Sequence, residues 1–281
     1  MKKIPRQFFK NFTRLAVAED AVNCDLTTEL LIPKNLTASA VLVIKENGVV
    51  AGLPVVRAVL KEFDPGLNFK PLVKEGSLQK KGRRLAYLSG PARSILSIER
   101  ILLNILQKLS GIATLTRKFV KQVKGYPVKI LDTRKTNPGL RWLEKYAVAV
   151  GGGINHRFNL AEAVLVKDNH LALVSFEKIV RTFGKPLPLT TEIEVKNLTA
   201  LKKIIQNKLK FNRMMLDNMS PAEMKKAVSI IRKNNPTIKI EASGRVNLNN
   251  VRKIAATGVD YISIGALTHS AQFLDISLEI I

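Results

Sequence analysis

The sequence predicts an α/β protein in two parts, a mixed α and β segment to about residue 112 and then a β/α barrel, on three observations. From about residue 113, short apolar runs end in a polar residue or glycine and alternate with helical patterns. The later run-ending residues Lys167, Glu194, Asp217, Ser243 and Gly265 are 27, 23, 26 and 22 residues apart, the length of one β/α unit. Polar residues recurring at the C-terminal ends of parallel strands fit a barrel with its site at that rim. A doubly wound open sheet is the alternative, because the pattern does not itself show closure.

In the first part, Ala38 to Lys45 reads as a strand, Asn47-Gly48 as a hairpin turn and Val49 to Leu53 as the partner strand. Lys80 to Gly90 is turn-rich around a short strand, Leu85 to Leu88. Ser94 to Leu109 is a helix with Ile98, Leu102, Ile105 and Leu109 on one apolar stripe. Arg100 lies opposite that stripe, as a solvated arginine or one that reaches a partner subunit.

In the second part the strands are Val128 to Leu131 before Asp132, Ala163 to Val166 before Lys167, and Leu189 to Val195 carrying Glu192 and Glu194. Met214 to Leu216 precedes Asp217, Ile238 to Ala242 precedes Ser243, and Tyr261 to Ile264 precedes Gly265. Ser220-Pro221-Ala222-Glu223 is a capping box with proline at the first helical position. Asn247 is placed to cap a helix that stops at Gly258.

With 281 residues, 46% of them hydrophobic, the chain can bury a substantial core. Its single cysteine, Cys24, excludes an internal disulfide framework and a zinc site of its own, and fits a reducing, cytoplasmic setting. No apolar run approaches the roughly 18 residues of a membrane span, and Met1 to Arg6 is not followed by a signal-type segment, so no membrane partner is expected. The net charge of +24 would draw the protein to polyanions. Yet Lys202, Lys203, Lys225, Lys226, Lys233 and Lys253 are scattered over polar helix faces, with no long block of like charge. Aromatic residues are only 6% and no nucleic-acid module is present, so no nucleic-acid partner is expected.

The chemistry concentrates elsewhere. Asp132-Thr133-Arg134-Lys135-Thr136, Gly151 to Arg157 and Val166 to His170 gather Arg134, Lys135, Arg157 and Lys167, with His156 and His170, two of three histidines. Guanidinium groups pair in bidentate fashion with carboxylates and phosphates and stay charged. Any one of these cations could pair with Asp132, Glu144 or Asp168, but four together imply a ligand with several negative charges. Glu194 and Asp217, at consecutive strand ends, are hard oxygen ligands suited to magnesium, or else counter-ions to the basic group; Glu192 shares a face with Glu194. Ser243-Gly244 and Gly265-Ala266 after the last two strands suit a phosphate cradle. The Gly151-Gly152-Gly153 run lacks the dinucleotide spacing and reads as a close-approach loop placing His156 and Arg157. A serine elbow, a catalytic cysteine context and a zinc-type histidine pair are all missing from the sequence.

These residues fall in ordered blocks along almost the whole chain: Cys24 to Thr28, Glu99-Arg100 with Asn104, Leu109 to Thr114, Asp132 to Thr136 with Pro138 to Arg141, Lys145 to Val148, Asn155 to Arg157, Val166 to His170, Leu216 to Asn218, Glu241 to Gly244 and Ile264 to Ser270. In them the chain resembles the quinolinate phosphoribosyltransferases, the carboxylating nicotinate-nucleotide pyrophosphorylases. The resemblance implies an N-terminal α/β sandwich domain over residues 1–112, joined by the segment 268–281, and an incomplete α/β barrel catalytic domain over 113–267. It implies a homodimer with shared active sites, Mg2+, and the conversion of quinolinate and 5-phosphoribosyl 1-diphosphate into nicotinate mononucleotide, diphosphate and carbon dioxide.

By that resemblance Arg134, His156, Arg157 and Lys167, with Arg100 from the neighbouring subunit, would grip the two quinolinate carboxylates, and Thr133 is a further expected substrate-binding residue. Lys135 would contact the sugar phosphate or its diphosphate, while Glu194 and Asp217 would serve the ribose and magnesium. Ser243, Gly244, Gly265 and Ala266 would hold the 5-phosphate, with Arg245 and Ile264 as further expected substrate-binding residues. Four positions depart from the family pattern: Arg245 for a second glycine, Asn137 for threonine, Cys24 for glycine and Ala149 for arginine. Arg245 is expected to face solvent or to supplement the phosphate site. A paralogue of the same fold, of the kind associated with molybdate systems, is the rival reading; the full set Arg100, Arg134, Arg157 and Lys167 argues against it.

Overall fold

A computed structural model describes residues 3–281, so Met1 and Lys2 of the N-terminal stretch lie outside the described residues. The chain divides into two compact units: Met1–Arg117 with Thr136–Gly152 and Leu267–Ile281, and Lys118–Lys135 with Gly153–Ala266. The first unit holds β1 (Thr37–Ile44), β2 (Gly48–Val49), β3 (Asn68–Pro71), β4 (Leu78–Gln79) and β5 (Arg84–Pro91). The second holds β6 (Lys129–Leu131), β7 (Val164–Val166), β8 (Thr191–Val195), β9 (Arg213–Asp217), β10 (Lys239–Ser243) and β11 (Tyr261–Ser263). The last strand, β12 (Ile276–Ile280), returns to the first unit.

In the first unit an antiparallel sheet of order β12-β1-β5-β3 shares its core with helices Leu53–Phe63 and Ala92–Gln122. Ile95, Ile98, Leu102, Leu106, Leu109 and Ile112 are fully buried at helical spacing along the longer helix. That helix runs well past Leu109, where the sequence reading stopped it. Gly111 sits inside it because the C-terminal segment crosses there: a Cβ at Gly111 would lie 1.9 Å from the carbonyl oxygen of Gln272. Leu274 N donates to the Gln107 carbonyl at 3.0 Å, which ties the returning segment to the same helix.

The expected hairpin at Asn47-Gly48 does not form. β1 pairs with β12 and β5, whereas β2 pairs with β4. A two-residue type I′ turn needs positive φ at both central residues, and neither Asn47 nor Gly48 has it. Gly48 instead serves close packing, since a Cβ there would meet Leu274 side-chain carbons at 2.6 Å.

The second unit contains a parallel sheet of order β6-β11-β10-β9-β8-β7. The first strand in sequence therefore pairs with the last, which is the circular order of a barrel, and the open-sheet alternative is set aside. On its other edge β6 makes a single parallel bridge, Leu131 to Ile154. One bridge stands where a closing strand would, which leaves the barrel incomplete between Ile154 and β7. The capping box forms as read: Ser220 Oγ accepts the Glu223 amide at 3.3 Å and Glu223 accepts the Ser220 amide at 2.9 Å. Asn247 instead receives the amides of Asn249 and Asn250, one turn ahead of helix Val251–Ala255. Among the described residues no helix is long and apolar enough to cross a membrane.

Candidate active site

Each site strand ends by delivering one side chain. Side chains alternate along a strand, so Glu192 and Glu194 on β8, Met215 and Asp217 on β9, and Glu241 and Ser243 on β10 share one face. The register Ser243↔Asp217 puts the last pair side by side. Beyond them, Asn218 N donates to the Ser243 carbonyl at 2.9 Å, locking the two loops together. Gly244, at φ 94°, is pressed against Asn218. Among the described residues, neither Gly244 nor Arg245 donates its amide to a protein group. Ile264 is buried and its amide goes to the Leu131 carbonyl at 2.9 Å, while the following Gly265 and Ala266 are half-buried.

Arg245 takes φ 47°, the left-handed conformation that a glycine would adopt without penalty, and its side chain is exposed. The loop has kept a glycine-type backbone while carrying an arginine. Arg245→Gly is therefore expected to raise stability by about 0.5–1 kcal/mol in urea unfolding. Unchanged or lower stability would contradict the strain.

Among the described residues, Arg134, Arg157 and Lys167 make no ion pair with a carboxylate. Arg134 and Arg157 are half-buried, and Lys135 and Lys167 are exposed. Burial and the nearby Arg134 charge lower the pKa of Arg157, so the two guanidinium groups repel. Arg134 Nε is buried with no hydrogen-bond partner among the described residues. The acids that could have paired with these cations are engaged elsewhere. Asp132 accepts from Asn155 Nδ2 at 2.6 Å and from the His156 amide at 2.8 Å; Glu144 pairs with Lys108 at 3.1 Å; Asp168 pairs with Lys196 at 2.5 Å. Thr133 Oγ1 accepts the Lys135 amide at 3.0 Å and shapes the turn that presents Arg134. Arg157 Nη1 donates to the Ala163 carbonyl at 2.8 Å, which fixes its head.

Glu194 and Asp217 form the acidic side. Burial raises the Glu194 pKa, and the charges of Asp217 and Asp168 raise it further. Asp217 accepts from Asn218 Nδ2 at 2.6 Å.

A deeper cluster joins His156, Glu192 and Glu241. His156 Nε2 lies 3.1 Å from Glu192 Oε2 and 3.5 Å from Glu241 Oε2, and Arg213 Nη1 lies 2.8 Å from Glu241 Oε2. Burial penalises a charged His156 ring, but hydrogen bonds to Glu192 and Glu241 outweigh it and lift the pKa to about 9. Against that, Nδ1 accepts the Arg157 amide at 2.8 Å, which a second ring proton would prevent. The second demand is set directly by geometry, and we read one ring proton, on Nε2. Burial raises the Glu192 pKa. Burial also opposes a charged Glu241, but the His156 hydrogen bond and the Arg213 charge hold its pKa below the usual range. The three donors lie within 4.8 Å, a spacing a cation could use, but the Arg213 guanidinium already supplies the positive charge there. The sequence reading had Glu241 only as part of the block Glu241 to Gly244, without a role, and did not single out Arg213; stepping back two residues from Ser243 finds the first, and the paired strand start finds the second.

In the first unit, exposed Arg100 lines a cavity of about 430 Å³ with Asn104, Lys108 and Phe273.

Two family profiles cover this chain: "Quinolinate phosphoribosyl transferase, N-terminal domain" matches residues 25–110, and the corresponding C-terminal domain matches residues 112–279. A probable carboxylating nicotinate-nucleotide pyrophosphorylase of Synechocystis sp. is 45% identical over 242 residues, 85% of this chain and 81% of that protein. The chloroplastic nicotinate-nucleotide pyrophosphorylase of Arabidopsis thaliana is 39% identical over 296 residues, 98% of this chain and 84% of that protein. The crystal structure of nicotinate-nucleotide pyrophosphorylase from Ehrlichia chaffeensis matches with a TM-score of 0.90 at 39% identity, covering 100% of both chains.

Proposed function

This chain belongs to the quinolinate phosphoribosyltransferase family, and we infer from that membership that it makes nicotinate mononucleotide, diphosphate and carbon dioxide from quinolinate and 5-phosphoribosyl 1-diphosphate. This is a step of NAD biosynthesis. One observation within the site supports the substrate most directly. Two repelling guanidinium groups, one with a buried donor lacking an acceptor, want an anion between them, and a pyridine dicarboxylate supplies one that both can share.

On this reading Arg134 and Arg157, with Thr133 and Lys167, hold the two carboxylates and aim the pyridine nitrogen at the anomeric carbon. The free amides of Gly244 and Arg245, with Ser243, Gly265 and Ala266, receive the 5-phosphate. Displacement builds oxocarbenium character on the ribose, and the Glu194 and Asp217 carboxylates stabilise it. Lys135 neutralises the departing diphosphate. Once the nucleotide has formed, the bond to the departing carbon dioxide breaks with its electron pair left on the ring carbon, where the adjacent cationic nitrogen stabilises it as an ylide until a proton from solvent takes the place of the carboxylate, so no organic cofactor is needed. Glu194 and Asp217 also fit Mg2+: two facing carboxylates, one with its pKa raised by the other, are hard oxygen donors, and the ion would add charge neutralisation at the diphosphate.

Carboxyl-labelled quinolinate tests the reading. Label should leave as carbon dioxide only when phosphoribosyl diphosphate and magnesium are both present, and excess EDTA should stop it. Release without the donor, or none with it, would sink the assignment.

A homodimer completes the reading, with Arg100 of the partner subunit joining the clamp. Exposed Leu15, Leu26, Leu30 and Leu31, at 67%, 73%, 83% and 72%, support a covering partner on the first unit. Mixing inactive Arg100→Ala and Arg134→Ala proteins, with subunit exchange, is expected to regain activity, because some dimers then carry one intact site. No recovery after demonstrated exchange counts against shared sites. A cytoplasmic location belongs to the same reading and is supported by the free, exposed Cys24.

A further inference from the structure

Asn137 stands where the family pattern has threonine, two residues after Lys135. It opens a tight turn: Pro138 and Gly139 occupy the central positions, Gly139 has φ 78°, and the Leu140 amide donates to the Asn137 carbonyl at 3.1 Å. The turn leads straight into helix Arg141–Val150. A proline and a glycine in these places close such a turn without help from other side chains. Even so, the first turn of the helix sends two side chains back to the chain that precedes it.

Glu144 is fully buried and its carboxylate is committed to Asn137. Oε1 accepts Asn137 Nδ2 at 2.6 Å, and Oε2 accepts the Asn137 amide at 3.1 Å. Lys108, on helix Ala92–Gln122, stands 3.1 Å from Oε1 and supplies the countercharge. Arg141 Nε donates to Thr136 Oγ1 at 3.0 Å, so both residues that follow Lys135 are held from the same helix. A buried carboxylate is unfavourable unless paired, and apolar replacement of a buried ion pair is often neutral or stabilising. The use of Glu144 therefore lies in what it holds, which is the chain just beyond Lys135.

The other end of the loop has its own anchor. Asp132 is buried after β6 and accepts from Asn155 Nδ2 and from the His156 amide. Arg134 follows the Asp132 anchor by two residues, and Lys135 precedes the Asn137 anchor by two.

Resting on phosphoribosyl diphosphate as the ligand of Lys135, we propose that Asn137 and Glu144 are positioning residues for that lysine. The Glu144 carboxylate, neutralised by Lys108, pins Asn137 and so sets where the Lys135 ammonium meets the departing diphosphate, while Arg134 keeps its place from the Asp132 end.

Two substitutions of nearly one shape isolate the side-chain hydrogen bond. Asn137→Thr retains a donor for Glu144 and Asn137→Val does not, and both suit the extended backbone that precedes a proline. Asn137 is exposed, so neither disturbs the core. Quinolinate affinity is measured by equilibrium binding without donor, and kcat and KM for phosphoribosyl diphosphate by steady-state turnover. Asn137→Val should lower kcat/KM for phosphoribosyl diphosphate about tenfold, with quinolinate affinity within about twofold of wild type. Asn137→Thr should stay within about threefold of wild type in both. An unchanged kcat/KM in Asn137→Val, equal losses in the two variants, or a matching loss of quinolinate affinity overturns the proposal. Should Asn137→Val not unfold cooperatively, Asn137→Ala replaces it under the same criteria. Wild-type protein that does not turn over quinolinate with phosphoribosyl diphosphate overturns the reaction and this proposal with it, whereas an active wild type with an insensitive Asn137→Val overturns this proposal alone.

Discussion

Arg134→Ala is expected to abolish carbon dioxide release while leaving the protein folded. Truncating one partner of a desolvated charge pair with a ligand costs about 2–5 kcal/mol, or roughly 30- to 4,000-fold in kcat/KM for quinolinate. The loss should fall on quinolinate, because Arg134 stands beside Arg157, the other guanidinium of the clamp. Stability without substrate should move the other way. Arg134 Nε is a buried donor with no acceptor, and its charge repels that of Arg157. Arg134→Met removes both penalties and keeps the packing of the stem. Each 1 kcal/mol regained shifts the thermal midpoint by about 2–4 °C. We expect the Met variant to be inactive and to melt higher than wild type. An active Arg134→Ala protein removes the clamp; a Met variant that melts lower shows that the guanidinium is satisfied in the empty protein.

The sequence carried the strand ends and little of what lies between them. Lys167, Glu194, Asp217, Ser243 and Gly265 were legible because a parallel strand buried on both faces reads as an apolar run, and the residue that breaks the run faces the rim. The capping box at Ser220 was legible because its partners are three residues apart. Asn47-Gly48 misled because glycine has two uses. The local one is a turn; the one that operates here is contact with Leu274, more than two hundred residues away and invisible to any short window. The long helix ran past its expected end at Leu109 for a similar reason, since Gly111 answers to the crossing Gln272 rather than to helix termination. The Glu192, Glu241, Arg213 and His156 layer was the least accessible. A glutamate inside a strand reads as a solvated or rim residue, and only the pairing of β8, β9 and β10 brings the four together.

The same distinction between local and tertiary glycine makes Gly244→Ala the second large effect. Gly244 has φ 94°, where an L side chain is strained by about 1–2 kcal/mol. A Cβ there would also stand 2.2 Å from Asn218 Oδ1 and 2.8 Å from Asn218 N. The Asn218 side chain could rotate away, but its backbone amide is held by the Ser243 carbonyl at 2.9 Å, and Asn218 itself sits in the left-handed region at φ 55°. Something in the joined loops must therefore shift, and Asp217 shifts with them. Displacement of about 1 Å at a positioning group can lower the rate about 100-fold. Gly244→Ala should then raise KM for phosphoribosyl diphosphate and lower kcat, since both the phosphate cradle and a ribose carboxylate move, while quinolinate binding without donor stays near wild type. Loss of quinolinate binding alone, with the donor's KM unmoved, would mean that these loops do not form the sugar-phosphate side of the site.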